Sequence, residues 1–405
     1  MPDDRRDMKI VQLSADLGQA HKSLQEEIQR LVKEQTQLRT RNAELESENS
    51  HLKQELGQLR SVGAGLVAEH KQTFELDWHV VNHNSPAHSV AVSPDSNYCA
   101  SASWDGFVNV YNFSSPRPSP DKKDFRPEKK LCALAESSQQ PGFYSVAFAK
   151  TFPNILGCTS ADKNIYLWNH KDNELLKQMG NYTMPGKGHE DEVNGIDFHS
   201  SQNVLVSAGD DQQAIIWDFQ EGIMLRQLKS PHTAAVYGAT FLGSALEYYV
   251  ATCCFDKKTR IFDMRSKTVT CELEGHKDDI IGLDFSGQTQ MLATGSDDGT
   301  VHVWDMQQLG GNKRLHDLNL KMITRKDDVE VKRVSFSRDG DMIAAACSSG
   351  QVVVFHGLKT GNVTHDILDQ FNDCVFDVSW GVDNTNSPLL VAASHDKSVA
   401  CWKVR

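Results

Sequence analysis

The segment that most constrains the fold covers residues 274–306 and reads EGHKDDIIGLDFSGQTQMLATGSDDGTVHVWDM. It holds three short apolar stretches separated by turn residues, which is typical of consecutive antiparallel strands. His276 precedes the first stretch, Asp298 lies in the turn before the third, and Trp304 lies near its end. These side chains, together with a Ser or Thr of the second stretch, can form one buried hydrogen-bonded chain across a sheet.

The same internal spacing recurs along the chain, so the fold is expected to be built from repeats. Counting the first segment, four units have all three positions, two lack the His, and one keeps only the shape, with Asp327, Ser349 and Phe355 in the three places. The residues assigned to this structural role are His83, Asp105, Asp162, Trp168, His189, Asp211, Trp217, His232, Asp256, His276, Asp298, Trp304, Asp396 and Trp402, with Tyr111 and Phe262 replacing the aromatic residue in two units. The units resemble WD repeats, whose four antiparallel strands form one blade of a β-propeller, and this resemblance implies seven blades.

The two ends of the repeat region predict how the ring closes. The chain stops at Arg405, directly after the third strand of the seventh unit, and residues 73–82 form a spare strand before the first unit. If that strand completes the last blade, no sheet edge is left exposed. The predicted fold class is therefore an all-β seven-bladed WD-repeat propeller over residues 73–405, preceded by an α-helical parallel coiled coil over residues 8–62 and a linker over residues 63–72.

The first seventy residues carry an apolar residue at every seventh position from Ile10 to Leu66. A strict repeat of seven without proline indicates a left-handed coiled coil. Placing the leucines at d puts Asn42 and Asn49 at a, a combination that favours two parallel strands. The residues expected to form the dimer are Leu24, Leu31, Leu38, Asn42, Leu45, Asn49, Leu52 and Leu59.

Charges that flank the leucines agree with a parallel homodimer. Each g residue faces the e residue five positions later on the partner helix, and all four pairs are attractive: Glu34 with Arg39, Arg41 with Glu46, Glu48 with Lys53, and Glu55 with Arg60. A DNA-binding leucine zipper needs a basic helix just before the leucines. The stretch MPDDRRDMK is short and half acidic, so direct nucleic-acid binding is not expected.

The resemblance to WD-repeat proteins also implies a binding surface where the central channel opens. Two residues of each blade are expected at this opening: the residue before the turn Asp and the residue five after the His position. The candidates for partner binding are Trp104, Phe255, Tyr144, Tyr237, Phe376, Asp210, Asp297, His88, His395 and Lys332. Exposed aromatic residues dominate interface energetics, and carboxylates beside them favour a peptide that carries Lys or Arg. Trp104 therefore belongs to the opening, although the pair Trp104-Asp105 looks like the end of a repeat.

Composition excludes several other classes of protein. The formal net charge is -12, and residues 1–72 hold 11 basic against 12 acidic residues, so the acidic excess lies downstream and argues against non-specific binding to nucleic acid or anionic membrane. The sequence has no secretory signal and no run of about 18 apolar residues, which predicts an intracellular protein, cytoplasmic or nuclear, that does not insert into membranes. None of the nine cysteines forms a Cys-x-x-Cys pair, so no metal and no cofactor is expected.

Catalysis is not expected either. The His, Ser and Asp residues recur together in several units, so they form a structural network, whereas a catalytic triad needs one exposed nucleophile beside an oxyanion hole. The sequence predicts a non-enzymatic dimeric scaffold that binds protein partners or peptides. Two alternatives stay open: a signalling subunit similar to the G-protein β subunit, and a substrate receptor of a cullin-RING ubiquitin ligase, whose adaptor motif resembles Phe262-Asp263-Met264-Arg265.

Overall fold

The structure is a computed structural model that describes residues 73–114, 126–133, 140–180, 188–228, 231–266, 268–383 and 385–405, together with ten positions between 22 and 41. The chain divides into two compact units, Met1–Lys71 and Gln72–Arg405. Among the described positions of the first unit, all are helical: Lys22, Gln25, Gln29, Arg30, Leu31, Lys33, Gln35, Gln37, Thr40 and Arg41. Leu24, Leu38, Asn42, Leu45, Asn49, Leu52 and Leu59 of the predicted dimer contact lie outside the described residues.

The second unit contains seven four-stranded antiparallel sheets, each running from an inner to an outer strand. Blade 1 comprises β2 (Ala87–Val92), β3 (Tyr98–Ser103), β4 (Phe107–Asn112) and β5 (Lys129–Cys132). Blade 2 comprises β6 (Phe143–Phe148), β7 (Ile155–Ser160), β8 (Asn164–Asn169) and β9 (Glu174–Gly180). Blade 3 comprises β10 (Val193–Phe198), β11 (Val204–Gly209), β12 (Ala214–Asp218) and β13 (Ile223–Leu228). Blade 4 comprises β14 (Val236–Phe241), β15 (Tyr249–Cys254), β16 (Thr259–Asp263) and β17 (Thr268–Leu273).

The remaining three blades follow the same order. Blade 5 comprises β18 (Ile280–Ser286), β19 (Met291–Ser296), β20 (Thr300–Asp305) and β21 (Arg314–Asn319). Blade 6 comprises β22 (Val331–Phe336), β23 (Ile343–Cys347), β24 (Gln351–His356) and β25 (Thr364–Asp369). Blade 7 comprises β26 (Val375–Val382), β27 (Pro388–Ser394), β28 (Ser398–Val404) and β1 (Phe74–Val81). Two short helices interrupt the strands: a 3-10 turn at Ser244–Leu246, and α1 at Leu320–Thr324. The predicted seven-bladed propeller is thus confirmed.

The first strand closes the ring. β1 pairs antiparallel with β28, from Phe74 opposite Val404 to Val81 opposite Ser398. Trp78 of β1 is fully buried, and its ring lies 5.5 Å from that of Tyr111 in the adjacent blade 1. Burial of a large aromatic side chain contributes about 2 to 3 kcal/mol, so the N-terminal strand fastens blade 7 to blade 1.

The hydrophobic core is divided among the seven spaces between neighbouring blades. One cluster of buried side chains fills each space, and most of its members are Val, Ile, Leu and Ala. Strands covered on both faces are therefore apolar on both faces, which explains the short continuous apolar runs in the sequence.

The predicted His, Ser or Thr, Asp and aromatic network is present in blades 1, 3 and 5. In blade 5, His276 Nδ1 lies 3.0 Å from Asp298 Oδ2 and His276 Nε2 lies 2.8 Å from Thr294 Oγ1, which also accepts a 3.0 Å hydrogen bond from Trp304 Nε1. Because a carboxylate only accepts, the Nδ1–H of His276 donates to Asp298, and Nε2 pairs with the Thr294 hydroxyl. Blade 3 repeats these bonds with His189, Asp211, Ser207 and Trp217, and blade 1 repeats the first two with His83, Asp105 and Ser101.

Blade 4 departs from the expected network. Arg260 Nη1 lies between His232 and Asp256, 2.7 Å from His232 Nδ1 and 2.7 Å from Asp256 Oδ2, so the His and Asp are 3.9 Å apart. Burial, together with the charge of Arg260, lowers the pKa of His232 to about 4. Although His232, Cys254 and Asp256 lie close enough together to hold a metal ion, the Arg260 guanidinium already lies between His232 and Asp256.

Blades 2 and 7 keep the turn acid and the tryptophan without a His. In blade 2, Asp162 accepts a short hydrogen bond from the Tyr166 hydroxyl, and the Tyr166 ring stacks on the buried Trp168. In blade 7, Asp396 accepts from the backbone N–H of Asn372 at 3.0 Å, and Trp402 packs edge-on against Phe371. In blade 7 the turn acid therefore still orders the entry to the blade, whereas in blade 2 it binds a side chain of the strand that follows it.

Candidate functional site

A β-bulge in each inner strand directs one side chain into the opening of the channel. In all seven blades the pairing of the first two strands shifts register around a single residue. These bulge residues are His88, Tyr144, Asn194, Tyr237, Ile281, Lys332 and Phe376. A bulge re-aims a side chain that would otherwise follow the alternation of the strand, which is why these seven residues form one ring.

The residue before each turn acid, or before Ser349 at the same place in blade 6, is held beside the bulge by a backbone hydrogen bond. Its N–H donates to the carbonyl two residues before the bulge residue, as Trp104 does to Pro86 at 3.2 Å and Asp297 does to Asp279 at 3.0 Å. The other five pairs are Ala161 with Gly142, Asp210 with Glu192, Phe255 with Ala235, Ser348 with Glu330, and His395 with Cys374. The two candidate sets thus meet in one ring, at the end of the channel where the inner strands begin.

Side chains of this ring enclose a cavity, called here the mouth cavity, with a volume of about 270 Å³. Its lining comprises His88, Tyr144, Tyr237, Phe255, Asp279, Ile281, Asp297, Lys332, Arg333 and Phe376. Seven of the ten candidate residues therefore line one cavity, while Trp104, Asp210 and His395 stand around it.

One side of the mouth is a continuous aromatic cluster contributed by blades 7, 1 and 2. The His88 ring stacks on Phe376 with centroids 4.4 Å apart, and it also contacts Trp104 and Tyr144 at 5.7 Å. Trp104 and Tyr144 meet edge to face at 5.5 Å. Trp104 is 45% exposed, and its indole lies against Gly142, where an added Cβ would approach the ring to 3.3 Å. This cluster presents an exposed aromatic surface that a partner can cover.

His88 is a neutral member of this cluster at ordinary pH. Burial, followed by the nearby His395, lowers the pKa of His88 to about 4. His395 itself packs 5.7 Å from Phe376 and places Nδ1 2.7 Å from Asp373 Oδ2. On blade 4, a second aromatic pair is formed by Tyr237 and Phe255, which stack with centroids 5.5 Å apart.

Blades 3, 5 and 6 make the opposite side of the mouth acidic. Asp210 accepts a 2.6 Å hydrogen bond from Asn194, and Glu192 accepts a short one from the Tyr144 hydroxyl. Lys332 Nζ lies 3.0 Å from Asp297 Oδ1 and 2.6 Å from Glu330 Oε2. At the floor of the cavity, Arg333 Nε lies 3.1 Å from Asp377 Oδ1.

A third residue of each blade lies at the mouth and was not identified from the sequence; it is the residue whose backbone carbonyl accepts the hydrogen bond described above. Three of these seven residues are acidic: Glu192, Asp279 and Glu330. Their spacing in the sequence is regular, because each lies two residues before a bulge residue. Only the geometry of the bulge shows that residues at this spacing lie at the mouth. Arg333 was also missed, since the residue after a bulge points down the channel.

The comparisons with known proteins agree with this architecture. The family model described as "WD domain, G-beta repeat" matches residues 72–112, 180–218 and 267–305. A guanine nucleotide-binding protein subunit beta of Zea mays is 26% identical over 79% of this chain and 81% of its own length. The U5 small nuclear ribonucleoprotein 40 kDa protein of Dictyostelium discoideum is 29% identical over 40% of this chain and 43% of its own length. Human Striatin-4 is 23% identical over 62% of this chain and 34% of its own length.

The three matched repeats coincide with blades 1, 3 and 5, where His, turn acid and strand hydroxyl form the expected hydrogen bonds. Within the part of the chain that the structure describes, no helix has the length and apolarity needed to cross a membrane. Blades 2 and 7 lack the His, blade 4 inserts Arg260 into the network and blade 6 replaces all three members, yet all four blades keep the strand order and the bulge. This chain therefore belongs to the WD-repeat β-propeller family.

Proposed function

We propose that the protein is a non-enzymatic dimeric scaffold that binds a peptide segment of its protein partners at the mouth cavity. WD-repeat propellers mediate interactions between proteins, and the family is typically non-enzymatic. The observation that carries the proposal is the aromatic cluster of His88, Trp104, Tyr144 and Phe376, with Trp104 45% exposed at its edge. Rigid aromatic side chains beside a cavity are the usual anchors of tight interfaces.

The peptide that fits this site carries an aromatic or apolar side chain next to a basic one. The aromatic cluster accepts the apolar side chain. The basic side chain is accepted by Asp279 and Asp297, which line the same cavity as the stacked pair of Tyr237 and Phe255. A cation placed over an aromatic face and beside a carboxylate gains from both groups. The acidic rim also speeds the approach of a basic segment.

The decisive test compares partner recovery by wild type and by a Trp104→Ala, Phe255→Ala double variant in affinity purification followed by mass spectrometry. We expect the double variant to lose its main partners. The matched control is Phe152→Ala, because Phe152 is 39% exposed but lies in the β6–β7 connection, at the opposite end of the blade from the mouth. Unchanged partners in the double variant would refute the role of the mouth.

Dimerisation through residues 8–62 is part of the proposal. It is supported by the heptad pattern, the four attractive pairs and the helical state of the described positions between 22 and 41. Leu31, at a predicted d position, is 54% exposed in the single chain, and a partner helix would cover it. Two propellers on one dimer bind a multivalent partner more tightly than either alone.

A G-protein-β-like signalling subunit is the second candidate. The guanine nucleotide-binding protein subunits beta of Zea mays and rice match 79% of this chain, which favours that function. In that case the N-terminal helix pairs with a different chain rather than with itself. The mass of the purified full-length protein separates the two functions, since only the homodimer has twice the chain mass of 45.2 kDa.

An intracellular location, cytoplasmic or nuclear, belongs to the same proposal and is supported by the relative named as a small nuclear ribonucleoprotein component. The ubiquitin-ligase alternative stays a prediction. Arg265, its key residue, pairs with Asp263 through two bonds of 3.0 and 2.8 Å and packs over the Tyr248 ring at 4.8 Å. These contacts give Arg265 a local structural role on the face opposite the mouth.

A further inference from the structure

Lys332 differs from the six other bulge residues. The equivalent positions hold His88, Tyr144, Asn194, Tyr237, Ile281 and Phe376, so Lys332 alone carries a full charge at neutral pH. Its ammonium group contacts Asp297 of blade 5 and Glu330 of blade 6, and its side chain is only 18% exposed. A cation of the protein itself thus occupies the acidic side of the mouth cavity.

Two carboxylates line the cavity at this place, and they differ in their partners. Asp297 is bound to Lys332, whereas the Asp279 carboxylate has no hydrogen bond or ion pair with any described residue. Burial raises the pKa of Asp297, an effect that the charge of Lys332 opposes. The backbone bond between Asp297 N and Asp279 O keeps both residues on the same side of the mouth. One acid is free for a ligand, and the other is already neutralised.

We propose that Lys332 competes with the basic side chain of the ligand for the carboxylate of Asp297. A Lys or Arg side chain of the ligand forms ion pairs with Asp279 and Asp297. Lys332 then loses its ion pair with Asp297 and keeps the one with Glu330. This inference rests on the proposed function, since it concerns the same cavity. Because one ion pair forms at the expense of another, the basic residue adds modestly to affinity, and the aromatic anchor decides which peptides bind.

The test uses the full-length protein and hexapeptide pools in which one position is fixed as Arg, Met or Glu and the others are random. Binding is measured by fluorescence anisotropy for wild type, Lys332→Met, Lys332→Arg and Lys359→Met, and each is also measured with Trp104→Ala and Phe255→Ala added. Lys359→Met is the matched control: its Nζ lies 3.9 Å from Asp339 Oδ2, it is 44% exposed, and it lies in the β24–β25 connection, at the opposite end of blade 6 from the mouth. Thermal unfolding checks that each variant is folded.

We expect Lys332→Met to bind the Arg pool about five to ten times more tightly than wild type, with no gain for the Met pool. Lys332→Arg keeps the competing charge, and Lys359→Met removes a charge at the opposite end of the blade, so both should stay within about twofold of wild type. In one outcome, Lys332→Met binds the Arg pool as tightly as wild type or more weakly, while binding still depends on Trp104 and Phe255. That result would refute the competition by Lys332 and leave the proposed function standing. Binding that ignores both aromatic residues would overturn the proposed function as well.

Discussion

Deleting one hydroxyl group in blade 5 should test the energetics of the buried network. Thr294→Val keeps the shape and β-branching of the side chain but removes Oγ1, which lies 2.8 Å from His276 Nε2 and 3.0 Å from Trp304 Nε1. His276 is 8% exposed and Trp304 is 3% exposed, so water cannot replace the lost partner easily. A buried polar group left unpaired costs about 1 to 3 kcal/mol, so two such groups lower the free energy of unfolding by about 2 to 6 kcal/mol.

The assay is urea unfolding followed by tryptophan fluorescence, with the transition midpoint compared at equal slope. Thr294→Ser is the matched control, because it keeps the hydroxyl and deletes only a methyl group, which costs about 1 kcal/mol. The network account predicts that the Val variant is clearly less stable than the Ser variant. A Val variant as stable as wild type, or more stable than the Ser variant, would refute the reasoning.

Three further predictions concern the ring, the pH dependence and the oligomeric state. Trp78→Ala removes the fully buried indole that fastens β1 to blade 1, and it should lower the free energy of unfolding by about 3 to 5 kcal/mol in chemical denaturation; a loss below about 1 kcal/mol would mean that β1 does not close the ring. The pKa of His88 is lowered to about 4 from 6.5, so the unfolded chain binds a proton that the folded chain does not as pH falls from about 6.5 to about 4, and stability should decrease in this range. His88→Phe should make that decrease shallower in unfolding experiments, and an unchanged slope would contradict the assignment. Light scattering of the full-length protein should give twice 45.2 kDa, and replacing Asn42 and Asn49 by Lys should reduce the mass to that of one chain; a 45.2 kDa wild type would contradict the homodimer.

The sequence determined the blade count because each blade repeats the same local spacing. The distance from turn acid to aromatic residue and from His to bulge residue is set within one sheet, so positions such as Trp104 and Phe255 can be assigned to the mouth by counting alone. Spacing cannot show which neighbours these residues meet. Lys332 reaches Asp297 across a blade boundary, 35 positions earlier in the chain, and that contact depends on the curvature of the whole ring.

Departures from the repeat were harder to foresee for a physical reason. Arg260 enters the blade 4 network because its long side chain can bridge two groups 3.9 Å apart, and no local pattern distinguishes it from an exposed strand arginine. The acidic rim of Glu192, Asp279 and Glu330 was missed because these residues stand before the strands and read as polar loop residues. Their role follows from the carbonyl hydrogen bonds that fix them beside the bulge.

The most direct test of partner binding at the mouth is site-specific photo-cross-linking in cells. A benzophenone amino acid is placed at position 104 in one variant and at position 152 in another, and cross-linked products are compared by mass spectrometry. Both positions hold exposed aromatic residues, at 45% and 39% exposure, but only Trp104 stands beside the mouth cavity. We predict that the probe at 104 captures the partners found by affinity purification and that the probe at 152 does not. Capture of those partners at 152 alone would contradict the account.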